Sequence, residues 1–379
     1  MGRIRVCQLI TELAPAGAER CVYELATRLD KDRFDVRVVA LRGGQVADWL
    51  ARAAVPVTVL GLRGKRDALK LGKLTEVLRS QQFDLVHTHL FHADLAGRPA
   101  ARLAAVPHIV HTVHVAEGRF RPWQFAYARF LSGYCDRIVC VSQAVRDHHA
   151  KRSGLPLWRY VVIPNGIDAE AFSRDEASRR RLRAEWGIDG REVLLAFVGR
   201  LDRQKGIDTL LAAISHLGAR GCPMKLVVAG EGPKRPLVEN FIERGEGGRF
   251  CRMLGFVTDI RGMLSAADAL VMPSRWEGFG LAAGEAMAAG LPVIATRVAG
   301  LSEIVVDGQT GILVDREDVV GLADAITRLA GDAELRCRLG EAARRRVIEH
   351  YSISANIAAH QALYAEVAGD AATPLKRNS

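Results

Sequence analysis

The chain has 379 residues, 49% apolar and 25% charged, with 53 Lys and Arg against 43 Asp and Glu and a formal net charge of +10. That length exceeds one ordinary α/β domain and suits two, and the composition is globular rather than disordered or fibrous. No run of about 18 apolar residues occurs, so no membrane-spanning helix is expected; seven scattered cysteines without Cys-x-x-Cys spacing read as reduced core residues rather than a disulfide framework or metal site; and the basic balance favours anionic partners such as phosphates, acidic lipids or nucleic acid.

The apolar segment after Arg3 and Arg5 is short, which fits a first strand better than a signal peptide, and a cytoplasmic location follows. β-branched runs predict strands at Ile4–Ile10, Val36–Ala40, Val57–Leu60, Leu85–Thr88, Ile109–Val113, Ile138–Val141 and Val161–Ile163. Helical patterns lie between them at Ala18–Leu29, Leu69–Ser80, Asp94–Ala105, Pro122–Ser132 and Gln143–Ala150. The loop Leu13 to Arg20, with Gly17, follows the first strand and opens a helix. It offers backbone N–H groups to a phosphate, or is a plain strand-to-helix turn; it lacks Gly-x-Gly-x-x-Gly, so a dinucleotide site is unsupported. Asp30-Lys31-Asp32 has the Asp-x-Asp form of a divalent-cation site, but precedes a strand and reads as a loop at the sheet end away from ligands.

Six of the eleven histidines fall at 87, 89, 92, 108, 111 and 114. No carboxylate or cysteine joins them with ligand spacing, so they read as hydrogen-bonded residues of a cleft floor rather than a metal site. His114 ends a strand and is placed to touch a polar substrate. Arginine clusters at Arg119, Arg121, Arg129 and Arg137, at Arg179 to Arg183 and at Arg344 to Arg346 fit anionic partners or solvated helix faces equally.

The alternation breaks between about 165 and 190, where Asn165-Gly166 and the polar stretch Ser173 to Arg183 suggest a linker and a polar helix. Strands resume at Val193–Val198, Lys225–Ala229, Cys251–Leu254, Ala269–Met272, Val293–Ala295 and Gly311–Val314. Helices follow at Ile207–Leu217, Leu237–Arg244, Leu281–Ala289, Val319–Leu329 and Ala333–Glu349, and a last one runs from about Ser354 to Ala368. Strict β-α alternation predicts two doubly wound Rossmann-like domains facing across a cleft, at 1–170 and 171–352, then a terminal segment 353–379. Ligands bind at the C-terminal ends of such strands.

Three loops in the second half leave strands directly. Gly199 to Gly206 carries Arg200 and Lys205 beside a helix start, an arrangement that suits a diphosphate and is also what a basic protein carries as surface cations. Gly230-Glu231-Gly232-Pro233 leaves room for a ligand. Pro273 to Glu285 holds Glu277 and Glu285 around Gly278 and Gly280, where a helix N-terminus can meet a phosphate and carboxylates can hold hydroxyls.

These segments, in order, resemble the retaining nucleotide-sugar glycosyltransferases of family 4, which have the GT-B fold. The resemblance rests on Ala16-Gly17-Ala18-Glu19, His87 to Gly97, His114, Val141-Ser142, Ile163 to Asp168, Gly199-Arg200 with Lys205-Gly206, Gly230 to Pro233, and Pro273-Ser274 with Glu277 to Gly280 and Glu285. One departure is Ala16, where the family often has a glycine. The resemblance implies that Arg200 and Lys205 neutralise the donor diphosphate, that Glu285 holds the ribose and that Glu277 holds the donor sugar. It gives substrate contacts to Gly17, Glu231 and the N–H groups of Phe279, Gly280 and Leu281. His114 would bond the sugar or reacting centre, and Phe256 and Val257 would face the base.

It further implies a metal-independent, anomer-retaining hexosyltransferase with no cofactor beyond a UDP- or GDP-sugar co-substrate. The last helix would cross back to the first domain. A lipid-linked or cell-envelope glycan acceptor is expected, and Arg119-Phe120-Arg121-Pro122-Trp123 motivates a peripheral place on an anionic membrane surface. The alternatives are a GT-B-like nucleotide-sugar epimerase and a basic nucleic-acid-binding protein, the latter without a recognised nucleic-acid module.

Overall fold

The computed structural model describes residues 2–62, 70–115, 120–218, 221–243 and 247–369. Arg119, Leu69 and Arg244 lie outside them, as does the tail beyond Gly369. The chain divides into two compact units, one formed by residues up to Gly166 and from Ser354 onward, the other by Ile167–Ile353.

In the first unit the strands are β1 (Ile4–Ile10), β2 (Phe34–Ala40), β3 (Val57–Val59), β4 (Leu85–His89), β5 (His108–Val113), β6 (Arg137–Cys140) and β7 (Tyr160–Val162). They form a parallel sheet of order β3-β2-β1-β4-β5-β6-β7. Helices α1 (Gly17–Arg28), α2 (Val46–Arg52), α3 (Lys70–Ser80), α4 (Phe91–Leu103), α5 (Pro122–Phe130) and α6 (Gln143–Ser153) alternate with the strands. Apolar side chains on the two faces form separate clusters, one with Leu9, Leu74, Val86 and Ile109, the other with Ile10, Val22, Val38 and Leu50. Burial on both sides explains why these strands read as continuous apolar runs.

The second unit holds α7 (Glu176–Trp186), β8 (Val193–Val198), α8 (Ile207–Gly218), β9 (Met224–Ala229), α9 (Arg235–Glu243), β10 (Cys251–Gly255), α10 (Ile260–Ala266), β11 (Ala269–Met272), α11 (Leu281–Ala288), β12 (Val293–Thr296), α12 (Ala299–Ile304), β13 (Gly311–Val314), α13 (Val319–Gly331) and α14 (Ala333–His350). Its sheet is parallel, in the order β10-β9-β8-β11-β12-β13. Asp175, Asp259, Asp318 and Asp332 cap the helices they precede, each accepting a backbone N–H. Ile167 belongs to this unit: its N–H donates to the carbonyl of Tyr351 at 2.7 Å, and its carbonyl accepts from Ile353.

The helix α15 (Ile353–Val367) packs into the first unit, where Tyr364 is fully buried and receives a hydrogen bond from Gln8 at 2.9 Å. Two arginine clusters are tied to the scaffold. Arg179 donates to the carbonyls of Ser265, Ala266 and Ala267 at the end of α10, and Arg179 and Arg183 both pair with Asp268. Arg346 likewise donates to the carbonyls of Glu303 and Ile304. Asp30 and Asp32 sit in the turn before β2, where Asp30 Oδ1 accepts from the N–H of Asp32.

Candidate functional site

Strand order reverses direction between β1 and β4 in the first sheet and between β8 and β11 in the second. At such a point the loops leaving neighbouring strands diverge to opposite faces and open a crevice at the strands' C-terminal ends. In the second unit those loops are Gly199 to Gly206 and Pro273 to Gly280. Both were singled out by their residue types, and the topology brings them together.

Backbone lies against backbone there. A Cβ on Gly206 would stand 2.0 Å from the carbonyl oxygen of Pro273, and one on Gly300 would stand 2.2 Å from that of Gly278. Gly206 also has φ +65°. Arg275 completes the clamp: its N–H donates to Gln204 O at 2.7 Å, its Nη1 to Arg203 O at 2.9 Å, and its guanidinium forks onto both oxygens of Asp208 at 3.0 and 2.9 Å. Lys234 also donates to Asp208 Oδ2, at 2.8 Å. Burial opposes ionisation of Asp208, but Arg275 and Lys234 outweigh it and hold the carboxyl below its ordinary value.

On this frame Lys205 donates from Nζ to Glu277 Oε1. Ser274 Oγ donates to the same oxygen at 3.0 Å. Glu277 is buried, and among the described residues its Oε2 makes no hydrogen bond. Arg200 is exposed and pairs with Asp202 at 2.7 Å. Phe279 packs its ring on Tyr351, with centroids 5.3 Å apart, which leaves its backbone rather than its side chain for any ligand. Gly280, with φ +92°, caps the start of α11, whose first N–H groups have no partner one turn back. Glu285 lies one turn into that helix, half-buried. Glu231 is exposed and pairs with Arg235 at 2.6 Å; Phe256 and Val257 follow β10, Phe256 exposed and Val257 half-buried.

In the first unit Gly17 starts α1, exposed, after Ala16 in extended conformation. The histidines form a network around the ends of β1, β4 and β5. His89 Nδ1 lies 3.1 Å from His114 Nε2, and His89 Nε2 lies 2.7 Å from Gln8 Oε1. His87 bridges Tyr364 Oη and Thr112 Oγ1, each at 2.6 Å. Burial, then the neighbouring imidazoles, push His87 and His89 well below the ordinary histidine value and His114 down to about 3. His111 belongs to a separate set: its Nδ1 lies 2.9 Å from Thr88 Oγ1 and 3.3 Å from Asp94, which holds the fully buried Arg98 at 2.6 Å. Among the described residues no group of three or more His, Cys, Asp or Glu is arranged to hold a metal ion. His92 stands apart, its ring on Phe91. After His89, Leu90 adopts φ +69° and ψ 156°, a conformation nearly confined to glycine, so backbone strain is stored beside this network.

Sequence reasoning missed Asp208, Arg275, Gln8 and Tyr364, and it named Ser274 within a motif without giving it a role. The pairings span 67 residues for Asp208 with Arg275 and 356 for Gln8 with Tyr364. Gln8 alone carried a signal, as a polar residue inside an apolar run.

The family model described as glycosyltransferase family 4 matches residues 15–171, and that for glycosyl transferases group 1 matches residues 178–346. The chain is 32% identical to the alpha-maltose-1-phosphate synthase of Mycolicibacterium smegmatis over 92% of its own length and 96% of the relative's. It is 25% identical to the UDP-Gal:alpha-D-GlcNAc-diphosphoundecaprenol alpha-1,3-galactosyltransferase of Escherichia coli, over 93% and 94%. Its fold matches the crystal structure of Anabaena HepE in complex with UDP-glucose, with a TM-score of 0.86 and 22% identity over 96% of this chain and 100% of that one.

Proposed function

The chain belongs to glycosyltransferase family 4, with the GT-B fold, and from that premise we propose that it transfers a hexosyl unit from a nucleoside diphosphate sugar to a glycan or lipid-linked acceptor, without a metal ion and with retention of anomeric configuration. The observation that carries this reading is the convergence of Lys205 and Glu277 at the switch point of the second sheet, with Arg200 on the same loop. Fixed cations stabilise the charge that gathers on a departing diphosphate, and the N–H groups of Phe279, Gly280 and Leu281 add to them. Glu277 has an oxygen to spare for a sugar hydroxyl, and Glu285 is assigned the ribose. Gly17 and His114 keep the ligand roles that the family resemblance gives them.

In the reaction the bond between C1 and the diphosphate oxygen breaks, the acceptor oxygen bonds to C1 on the same face, and the acceptor proton leaves on the diphosphate. One relative named for UDP-Gal and a UDP-glucose-bound structural neighbour support the donor class. An acceptor at an anionic membrane surface is supported by exposed Trp123, Phe130 and Trp158, with Arg159 over the Trp158 ring at 4.7 Å. No helix among the described residues is long and apolar enough to cross a membrane.

The test is thermal stabilisation by a panel of uridine, guanosine and adenosine diphosphate hexoses, followed by transfer assays in EDTA. At least one donor raises Tm, and transfer survives chelation. No stabilisation by any donor, or activity abolished by EDTA and restored by Mn²⁺, contradicts the reading. Epimerised donor formed without acceptor would make it an epimerase.

A further inference from the structure

His114 presents a second ring nitrogen, Nδ1, that makes no hydrogen bond among the described residues. Whether that nitrogen is a bare acceptor or an N–H donor depends on the far end of the network. The imidazoles are held neutral, so each carries one proton, and a hydrogen bond fixes which nitrogen has it.

The chain of assignments begins at Gln8. Its Nε2 faces Tyr364 Oη at 2.9 Å, so Oε1 faces His89 Nε2 at 2.7 Å. A carbonyl oxygen only accepts, so His89 carries its proton on Nε2. His89 Nδ1 is therefore an acceptor, and the proton in its 3.1 Å contact with His114 Nε2 belongs to His114. One proton on Nε2 leaves Nδ1 of His114 bare. On the other side Tyr364 Oη, already accepting from Gln8, donates to His87 Nδ1 at 2.6 Å, and His87 Nε2 donates to Thr112 Oγ1 at 2.6 Å. Every link is satisfied in this order.

We propose that Gln8 and Tyr364 are positioning residues that, through His89, hold His114 as the Nε2–H tautomer, so that its Nδ1 accepts a hydrogen bond from a substrate hydroxyl and cannot donate one. The inference rests on the assignment of His114 to the substrate. It gives α15 a chemical task besides packing, because that helix brings the phenol that orients the Gln8 amide. A flipped amide would reverse every proton in the chain and turn Nδ1 into a donor.

The experiment reads the tautomer directly, by long-range ¹H–¹⁵N correlation of the His114 ring in the full-length protein without ligand. The expected result is protonated Nε2 and bare Nδ1. In Gln8→Met, which removes the acceptor facing His89, and in Tyr364→Phe, which frees the amide to turn, the His114 signal shifts toward a mixture of tautomers. Transfer falls roughly tenfold, the equivalent of one net hydrogen bond. Gln8→Glu, which can still accept from His89 Nε2, retains the tautomer. Protonated Nδ1 in the wild type overturns the proposal, as does an unchanged His114 signal in both Gln8→Met and Tyr364→Phe. The tautomer needs no substrate, so failure of the assignment of His114 to the substrate shows separately, as wild-type transfer in His114→Gln with the tautomer intact in the wild type.

Discussion

Lys205 and Glu277 meet through Nζ and Oε1, a side-chain contact that adds to the Arg275 bonds joining the loops that leave β8 and β11. Both side chains are largely withdrawn from water, 18% and 7% exposed. Removing one partner leaves the other's desolvation uncompensated, at a cost of about 1–3 kcal/mol. Lys205→Met and Glu277→Leu are each expected to destabilise by that amount, and the double variant by less than their sum. Urea unfolding measures all three, and additive losses would show that the contact contributes nothing. Transfer falls by about 10²–10³ in each single variant, as when an electrostatic stabiliser of the departing group is lost.

Arg200 separates binding from stability. Its guanidinium is exposed and engages Asp202 on its own loop. Exposed pairs contribute only about 0–1 kcal/mol. Arg200→Ala should therefore melt with the wild type, bind a nucleoside diphosphate at least tenfold more weakly, about 1.4 kcal/mol, and bind the bare nucleoside unchanged. Calorimetry with the two ligands decides it. Equal losses for both would place Arg200 away from the diphosphate.

The histidine network predicts acid sensitivity of the first unit. Burial lowers His114 to about 3 and His111 and His360 to about 4 in the folded protein, against about 6.5 unfolded. Between those values the unfolded chain binds protons that the folded chain does not, so stability rises with pH. It is complete above about pH 6.5 and declines as pH falls toward 4 and 3. Tm measured from pH 7.5 to 4.5 should fall, and His360→Leu should flatten the slope. A rising Tm on acidification would mean that these rings are charged in the fold. Transfer should show no inflection from His114 near neutrality.

Much of this architecture was legible in the residues. Strand β8 and strand β11 announced themselves as unbroken apolar runs, because a parallel sheet covered on both faces leaves no polar side. Helices α2, α10 and α12 did not, being too short for a 3.6-residue period to accumulate. The site was legible as residue types after strands: glycines, paired cations and two carboxylates. Its supports were not. Asp208 reads as a first-turn acid of α8 and Arg275 as one more cation, and only the fold brings them together. Arg179 and Arg346 show the converse, since their basic runs suggested anionic partners or solvated faces, yet these side chains spend their hydrogen bonds on carbonyls at helix ends.

Arg275 is expected to act through the loops it clamps. Its fork onto Asp208 and its bond to Arg203 O need a planar guanidinium, which lysine does not supply. Arg275→Lys should lower transfer about tenfold through donor KM, with the fold retained. Asp208 has its folded pKa depressed by Arg275 and Lys234. Its stabilising share is present above the unfolded carboxylate value of about 3.9 and is lost as pH falls below it. Partial exposure keeps that share small. Asp208→Asn should accordingly leave Tm at pH 7 little changed while reproducing the KM effect of Arg275→Lys. An unaltered KM in both would make the clamp irrelevant to the donor.

Gly206→Ala tests the close approach of the two loops. The residue has φ +65°, which costs an L-residue about 1 kcal/mol or more. Its added methyl carbon would also stand 2.0 Å from Pro273 O, a backbone atom that cannot rotate aside. The loop after β8 must then lift from the loop after β11, which separates Lys205 from Glu277. The expected outcome is a loss of more than about 2 kcal/mol in stability together with loss of donor-induced stabilisation. Gly187→Ala has nearly the same φ, +68°, but meets nothing within 4 Å, so it should show the conformational cost alone and keep donor binding. If the two variants behave alike, backbone strain rather than loop contact governs position 206.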